Sequence, residues 1–131
     1  MAAGVRLGRV IVLVRDYEEA LEFYTKSFGC EVLEDRPGPT DLRFVHVRFP
    51  GDEAAIWLLR PGSAANMDRI GAQTGGEPVA VVYTDDLKAL AAEWQDRGVR
   101  FSVDPYDAEG AAVCHVLDLY GNEFVAVQLP G

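Results

Sequence analysis

The chain is poor in the residues that metal and thiol chemistry use: its 131 residues hold two histidines and two cysteines. Cys30 and Cys114 come with no export signal, so they read as buried thiols rather than a disulfide framework. Basic residues are also short, 12 Lys and Arg against 21 Asp and Glu, for a net charge of −9. Binding a polyanion needs a basic surface and counterion release, which argues against nucleic acid and anionic membranes as partners. A neutral or cationic small organic ligand is expected instead. Long apolar runs are missing: near the N-terminus there is only "VIVLV" (10–14), followed at once by Arg15 and Asp16. That is too short for a signal-peptide core, and a cytoplasmic location is expected. "QTGG" and "GNEF" lack the glycine spacing of a phosphate-binding loop. Ser27, Ser63 and Ser102 have no placed base, which makes a serine hydrolase improbable.

What is present has the balance of one soluble domain, 49% hydrophobic and 25% charged. "RVIVLV" (9–14) predicts a strand. Asp16 then opens a helix to about Phe28, with Glu19 as its capping-box partner and Tyr17, Leu21, Tyr24 and Phe28 as its apolar stripe. Gly29 takes the position that terminates it. The paired acids Glu18–Glu19 and Asp85–Asp86 stand at helix starts, where capping explains them better than acid-base chemistry. Strands are expected at 30–35, 42–49 and 53–59. Residues 60–78 lose this periodicity and form a long connection. The pattern then restarts with a strand at 79–84, a helix carrying Leu87, Leu90, Ala91 and Trp94 that ends at Gly98, and three further strands.

This restart is an internal repeat. A shift of 69 residues carries Val10 onto Val79, Asp16 onto Asp85, Gly29 onto Gly98 and His46 onto His115. Both histidines thus hold one position in two copies of a β-α-β-β-β unit. Side chains alternate along a strand, so Val45, Val47 and Phe49 should pack on the unit's helix while Phe44, His46 and Arg48 face the other way. The second copy puts Val113 and His115 on that same inner face, opposite Cys114 and Val116. No acidic residue shares the inner face of the histidines' own strands, so a metal site lacks its third and fourth donors.

"VIVLVRDYEEALEFYTKSFGCEVLED", "TDDLKALAAEWQDRGVRF" and "DLYGNEF" together resemble the vicinal oxygen chelate superfamily of glyoxalases, bleomycin-resistance proteins and extradiol dioxygenases, from about Arg9 to Leu129. The resemblance implies an α+β fold of two tandem βαβββ modules (about 5–60 and 78–130, with a linker at about 61–77), forming a U-shaped, cleft-bearing sheet with helices outside, in a homodimer. Metal-dependent members of the superfamily draw ligands from the first and last strands of each module. Matched motif to motif, those positions are Arg9, Trp57, Val79 and Val125, none a useful donor. The resemblance therefore implies no metal, no cofactor and no catalytic residue. It implies an apolar pocket lined by Trp57, Val79, Val125, Phe44 and Val113, with Arg9, His46, Arg48 and His115 as its polar points. The expected function is metal-independent binding of a small organic molecule, such as drug or metabolite sequestration. The alternative is a lyase, isomerase or dioxygenase using a cleft histidine or a displaced metal.

Overall fold

A computed structural model describes residues 3–131. Module 1 comprises β1 (Arg9–Leu13), α1 (Tyr17–Glu22, running on as a π turn over Phe23–Ser27), β2 (Glu31–Pro37), β3 (Arg43–Arg48) and β4 (Ala55–Leu59). The connection holds one short helix, α2 (Ala64–Met67), capped by Ser63. Module 2 comprises β5 (Ala80–Tyr83), α3 (Leu87–Asp96), β6 (Arg100–Ala108), β7 (Ala111–Leu117) and β8 (Glu123–Gln128). The strands form two four-stranded sheets of matching order, β1-β4-β3-β2 and β5-β8-β7-β6. In each, the first and last strands of the module run parallel and the other pairs antiparallel. This is the tandem βαβββ α+β architecture that the repeat predicts.

Alternation along the strands decides what is buried. Val12, Val45, Val47 and Leu58 of sheet 1, and Cys114, Val116 and Ala126 of sheet 2, are sealed in the core. Ala20, Tyr24 and Phe28 meet them from the first helix, and Leu87 and Trp94 from α3. One aromatic cluster joins the modules, since the Phe28 ring lies 5.4 Å from Trp94 and 5.2 Å, edge-on, from Phe124. Both cysteines are free and buried, and burial pushes the Cys30 thiol up to about 12 and that of Cys114 to about 11.

The "DLYGN" segment is a strut between the modules. Buried Asp118 accepts hydrogen bonds from the Tyr24 hydroxyl (2.7 Å), the backbone N–H groups of Tyr120 and Asn122, and the Asn122 side-chain amide (2.9 Å each). Burial, and then the Asp118 charge, raise the Tyr24 hydroxyl well above its ordinary value. The expected capping box is completed from the other module. Glu19 N–H donates to Asp16, but the Glu19 carboxylate accepts from the Tyr120 hydroxyl (2.7 Å), which in turn accepts from Asp16 N–H (3.2 Å).

The repeat needs one correction of register. The N-cap of α3 is Asp86, not Asp85, so the first halves of the modules align at a shift of 70. The extra residue of module 1 is absorbed in the π turn, where Phe28 N–H reaches back to the Phe23 carbonyl. Thus Cys30 N–H bonds the Tyr24 carbonyl, six residues back, where Val99 N–H bonds that of Trp94, five back. After the turn the shift is 69 through β3, where the histidines coincide as expected, and it falls to 68 in β4, where Trp57 matches Val125.

Candidate functional site

The helix-free face of sheet 1 brings together four of the expected residues: Arg9 from β1, Phe44 and His46 from β3, and Trp57 from β4. His46 and Trp57 are cross-strand partners, with ring centroids 5.3 Å apart. Phe44, two residues before His46 on β3, has its ring centroid 5.9 Å from that of Trp57. The Arg9 guanidinium donates from Nε to His46 Nδ1 at 3.0 Å. Two residues of β2 complete the group. Arg36 stacks over Phe44, 4.4 Å from its centroid, and pairs with Glu34. Glu34 comes within 3.5 Å of His46 Nδ1. Bonding to Arg36 holds the Glu34 carboxyl below its usual range. His46 titrates below its ordinary value, chiefly because burial disfavours the cation, with Arg9 and Arg36 adding to this and Glu34 opposing it. Arg48, also expected here, turns instead to Glu31 (2.6 Å) and the Asp52 carbonyl (3.4 Å).

Two buried polar atoms of this group have no hydrogen-bond partner: His46 Nε2 and Trp57 Nε1. Leaving such an atom unpaired costs about 1–3 kcal/mol. A cross-strand pair carrying two of them is therefore costly unless something else completes it.

A cavity of about 890 Å³ opens further along the same face. It is lined by Leu13 at the end of β1, Leu42 just before β3 and Leu59 two residues along β4 from Trp57, with Tyr17, Arg60 and Met67 among the others. Its size suits a drug-sized molecule. A smaller cavity of about 170 Å³ lies between the sheets, lined by Val10, Phe49, Ile56, Ala80, Val81 and Phe124 among others.

The other expected residues lie on sheet 2. His115 pairs across strands with Val125, and Val113 with Val127, while Val79, just before β5, packs against the common core. His115 Nδ1 lies 3.1 Å from Glu123 Oε2, and Ser102 donates to that same oxygen at 2.7 Å. The Ser102 bond first, and the His115 contact with it, hold the Glu123 carboxyl below its usual range. An ionised carboxylate only accepts, so Nδ1 carries the proton, and in neutral His115 a lone pair remains on Nε2. Glu34, Arg36, Ser102 and Glu123 escape the sequence reading. Glu123 was within reach of it, because stepping back two residues from Val125 keeps to one face of β8; Glu34 was not, because a bulge between Val32 and Glu34 breaks the alternation of β2.

The donor set does not fit a metal ion. Arg9, Trp57, Val79 and Val125 offer no ligand, and each histidine has one carboxylate beside it. Among the described residues no three His, Cys, Asp or Glu come together as a metal site.

Fold and motifs define the class: the chain belongs to the Glyoxalase/Bleomycin resistance protein/Dioxygenase superfamily, whose family model matches residues 6–125. It is 32% identical over 122 residues to an uncharacterized protein of Shewanella frigidimarina, covering 92% of this chain and 90% of that one. Among solved structures it is similar to TnmS3, an antibiotic binding protein from a Streptomyces species, at 25% identity and a TM-score of 0.82, with both chains fully covered. It shares the fold of UcmS2 at 24% identity and a TM-score of 0.84, over 95% of this chain and 98% of that one. No helix among the described residues is long and apolar enough to cross a membrane.

Proposed function

We propose that this protein binds a planar organic molecule on the helix-free face of sheet 1, without a metal and without covalent chemistry, as a cytoplasmic sequestering protein. The observation that carries this is the Phe44–Trp57 wall with the unpartnered donors of His46 and Trp57 beside it; the 890 Å³ cavity, which Leu59 lines two residues along β4 from Trp57, stands next to that wall and is not lined by it. A cavity, an aromatic surface and a few convergent polar groups make up an organic-ligand pocket. The similarity to a protein named as antibiotic-binding supports the same reading. A thermal-shift screen across aromatic metabolites and antibiotics tests it: stabilisation by a ligand that fails to stabilise Trp57→Ala is expected. Stoichiometric metal in protein purified without chelator would overturn the metal-free reading.

The protein acts as a homodimer in this reading. Ile11, Val81 and Tyr83 are 43%, 54% and 70% exposed on the edge strands β1 and β5, and a second copy would cover them. Light scattering showing a monomer at micromolar concentration counts against it.

One observation favours an enzymatic reading, the His115–Glu123 pair. A carboxylate that holds Nδ1–H leaves Nε2 as a proton acceptor, the arrangement of a general base. Under this reading His115→Gln abolishes turnover of a bound carbonyl compound and spares its binding. Binding with no turnover in the wild type leaves sequestration.

A further inference from the structure

We propose that His46 and Trp57 form a two-donor clamp for an ionised oxygen, so that the ligand of sheet 1 is an aromatic oxyanion, an aryl carboxylate or a phenolate. The inference deepens the binding role proposed above and rests on it. Two N–H groups of the Arg9 side chain are already placed, on His46 Nδ1 and on the Gly8 carbonyl. A guanidinium only donates, so at 3.0 Å His46 Nδ1 must be the acceptor and the ring proton must sit on Nε2. The Glu34 contact to the same nitrogen, at 3.5 Å, lies at the outer limit for a hydrogen bond and is the weaker claim. His46, 9% exposed, therefore presents a buried Nε2–H. The indole of its cross-strand partner presents a buried Nε1–H, and neither has an acceptor.

Charge then selects the acceptor. Arg36 is paired with Glu34, Arg43 with Asp35 and Glu18, and Arg48 with Glu31. Arg9 has no carboxylate partner among the described residues, so the His46 group keeps one uncompensated positive charge. That charge pulls density from the imidazole through Nδ1 and strengthens the Nε2–H donor. The chain's net charge of −9, which pointed to a neutral or cationic ligand, is held elsewhere on the surface and does not describe this face. The Phe44 and Trp57 rings supply the flat apolar wall for the rest of the ligand.

The test is calorimetric titration with three naphthyl probes of one shape: 2-naphthoate, its methyl ester and 2-naphthylmethylammonium. The naphthoate is expected to bind about tenfold more tightly than the other two, the step that a charge-assisted bond in place of a neutral one supplies. His46→Phe and Trp57→Phe keep an aromatic ring and remove the N–H, and each should erase that preference, read as the ratio of naphthoate to ester affinity. His46→Gln restores a donor and should recover part of it. Equal binding of all three probes by the wild type overturns the clamp, as does loss of all three together in the Phe variants; either outcome leaves sheet 1 standing as a binding surface. Failure of every probe at millimolar concentration overturns the site and the clamp with it.

Discussion

The chain's two tryptophans offer an internal control on whether sheet 1 carries a pocket wall or a plugged core. Trp94 is 1% exposed, donates from Nε1 to the Phe28 carbonyl at 3.3 Å and packs on Phe28. Truncating it should cost about 3–5 kcal/mol, as for a fully buried large aromatic residue. Trp57 is half-buried, its ring near those of Phe44 and His46 and its N–H bonding nothing. Trp57→Ala loses less buried contact than Trp94→Ala and no hydrogen bond, and it removes one unpaired donor. The expected cost is about 2 kcal/mol or less.

Urea unfolding followed by far-ultraviolet circular dichroism measures both variants, at one protein concentration because any subunit association would shift the midpoints. With an unchanged slope, the midpoints should separate by the roughly 2 kcal/mol between the two variants. Binding should show the reverse order. A planar ligand stacked on Trp57 loses about 0.5–1.5 kcal/mol of stacking beyond lost contact area, up to about tenfold in affinity, while Trp94→Phe binds as the wild type does. A Trp57→Ala variant as unstable as Trp94→Ala would refute the wall and place the indole in a closed core.

Three further outcomes follow from the geometry. Tyr24→Phe should cost about 2 kcal/mol by removing the 2.7 Å bond to buried Asp118, read as a lower urea midpoint at constant slope. His46 is held neutral, its folded pKa below the unfolded value of 6.5. The unfolded chain therefore binds the extra proton first, and this contribution to stability, complete above about 6.5, is lost as pH falls through the folded pKa. Unfolding measured from pH 7.5 down to pH 5 should show the decline, and His46→Phe should flatten it; an unchanged slope in the variant would place the titration elsewhere. Gly71→Ala should cost about 2 kcal/mol or more, because φ is +80° and a Cβ there would stand 2.1 Å from the Tyr120 carbonyl oxygen. Gly62→Ala meets nothing within 4 Å and should stay within about 0.5 kcal/mol of the wild type, both variants being read by urea unfolding.

The architecture was legible because it is written twice with a period of two along every central strand. Val45 and Val47 against Phe44 and His46 already separate the core face from the open one, and the coincidence of the histidines declares the duplication. Three things lay beyond that reading, each for a local reason. A π turn adds one residue to the first helix, so a single shift cannot align both ends of the modules. The bulge in β2 moves Glu34 beside His46, where plain alternation does not put it. The 890 Å³ cavity is lined partly by Thr40–Leu42, Arg60–Ala64, Asn66 and Met67, segments with no periodicity to read. Arg9, Phe44, His46 and Trp57 were foreseen on one face; the division of the two histidines between a cationic and an anionic neighbour was not.

That division gives the duplication a chemical consequence. After the register correction Arg9 corresponds to Val79 and Ala55 to Glu123, and these are facing pairs between the first and last strands of each module: Arg9 opposite Ala55, and Val79 bonded to the Glu123 carbonyl. At this one level module 1 carries a cation on its first strand and module 2 an anion on its last. The neighbouring histidine meets opposite charges in the two copies. Beside the Arg9 guanidinium, Nδ1 of His46 must accept, and its proton moves to Nε2; beside the Glu123 carboxylate, Nδ1 of His115 must donate, and in the neutral ring the lone pair is on Nε2. One duplicated imidazole has thus become a donor on sheet 1 and an acceptor on sheet 2. An Arg9→Leu substitution frees His46 Nδ1 from its donor and lets it turn its proton toward Glu34. His46 Nε2 would then present a lone pair, as His115 does, and naphthoate binding should fall although Arg9 stands on the far side of the ring from the ligand. Nitrogen-15 chemical shifts of the two imidazoles read this directly: opposite tautomers in the wild type, and matching ones in Arg9→Leu. Matching tautomers in the wild type would mean that the neighbouring charge does not set the proton.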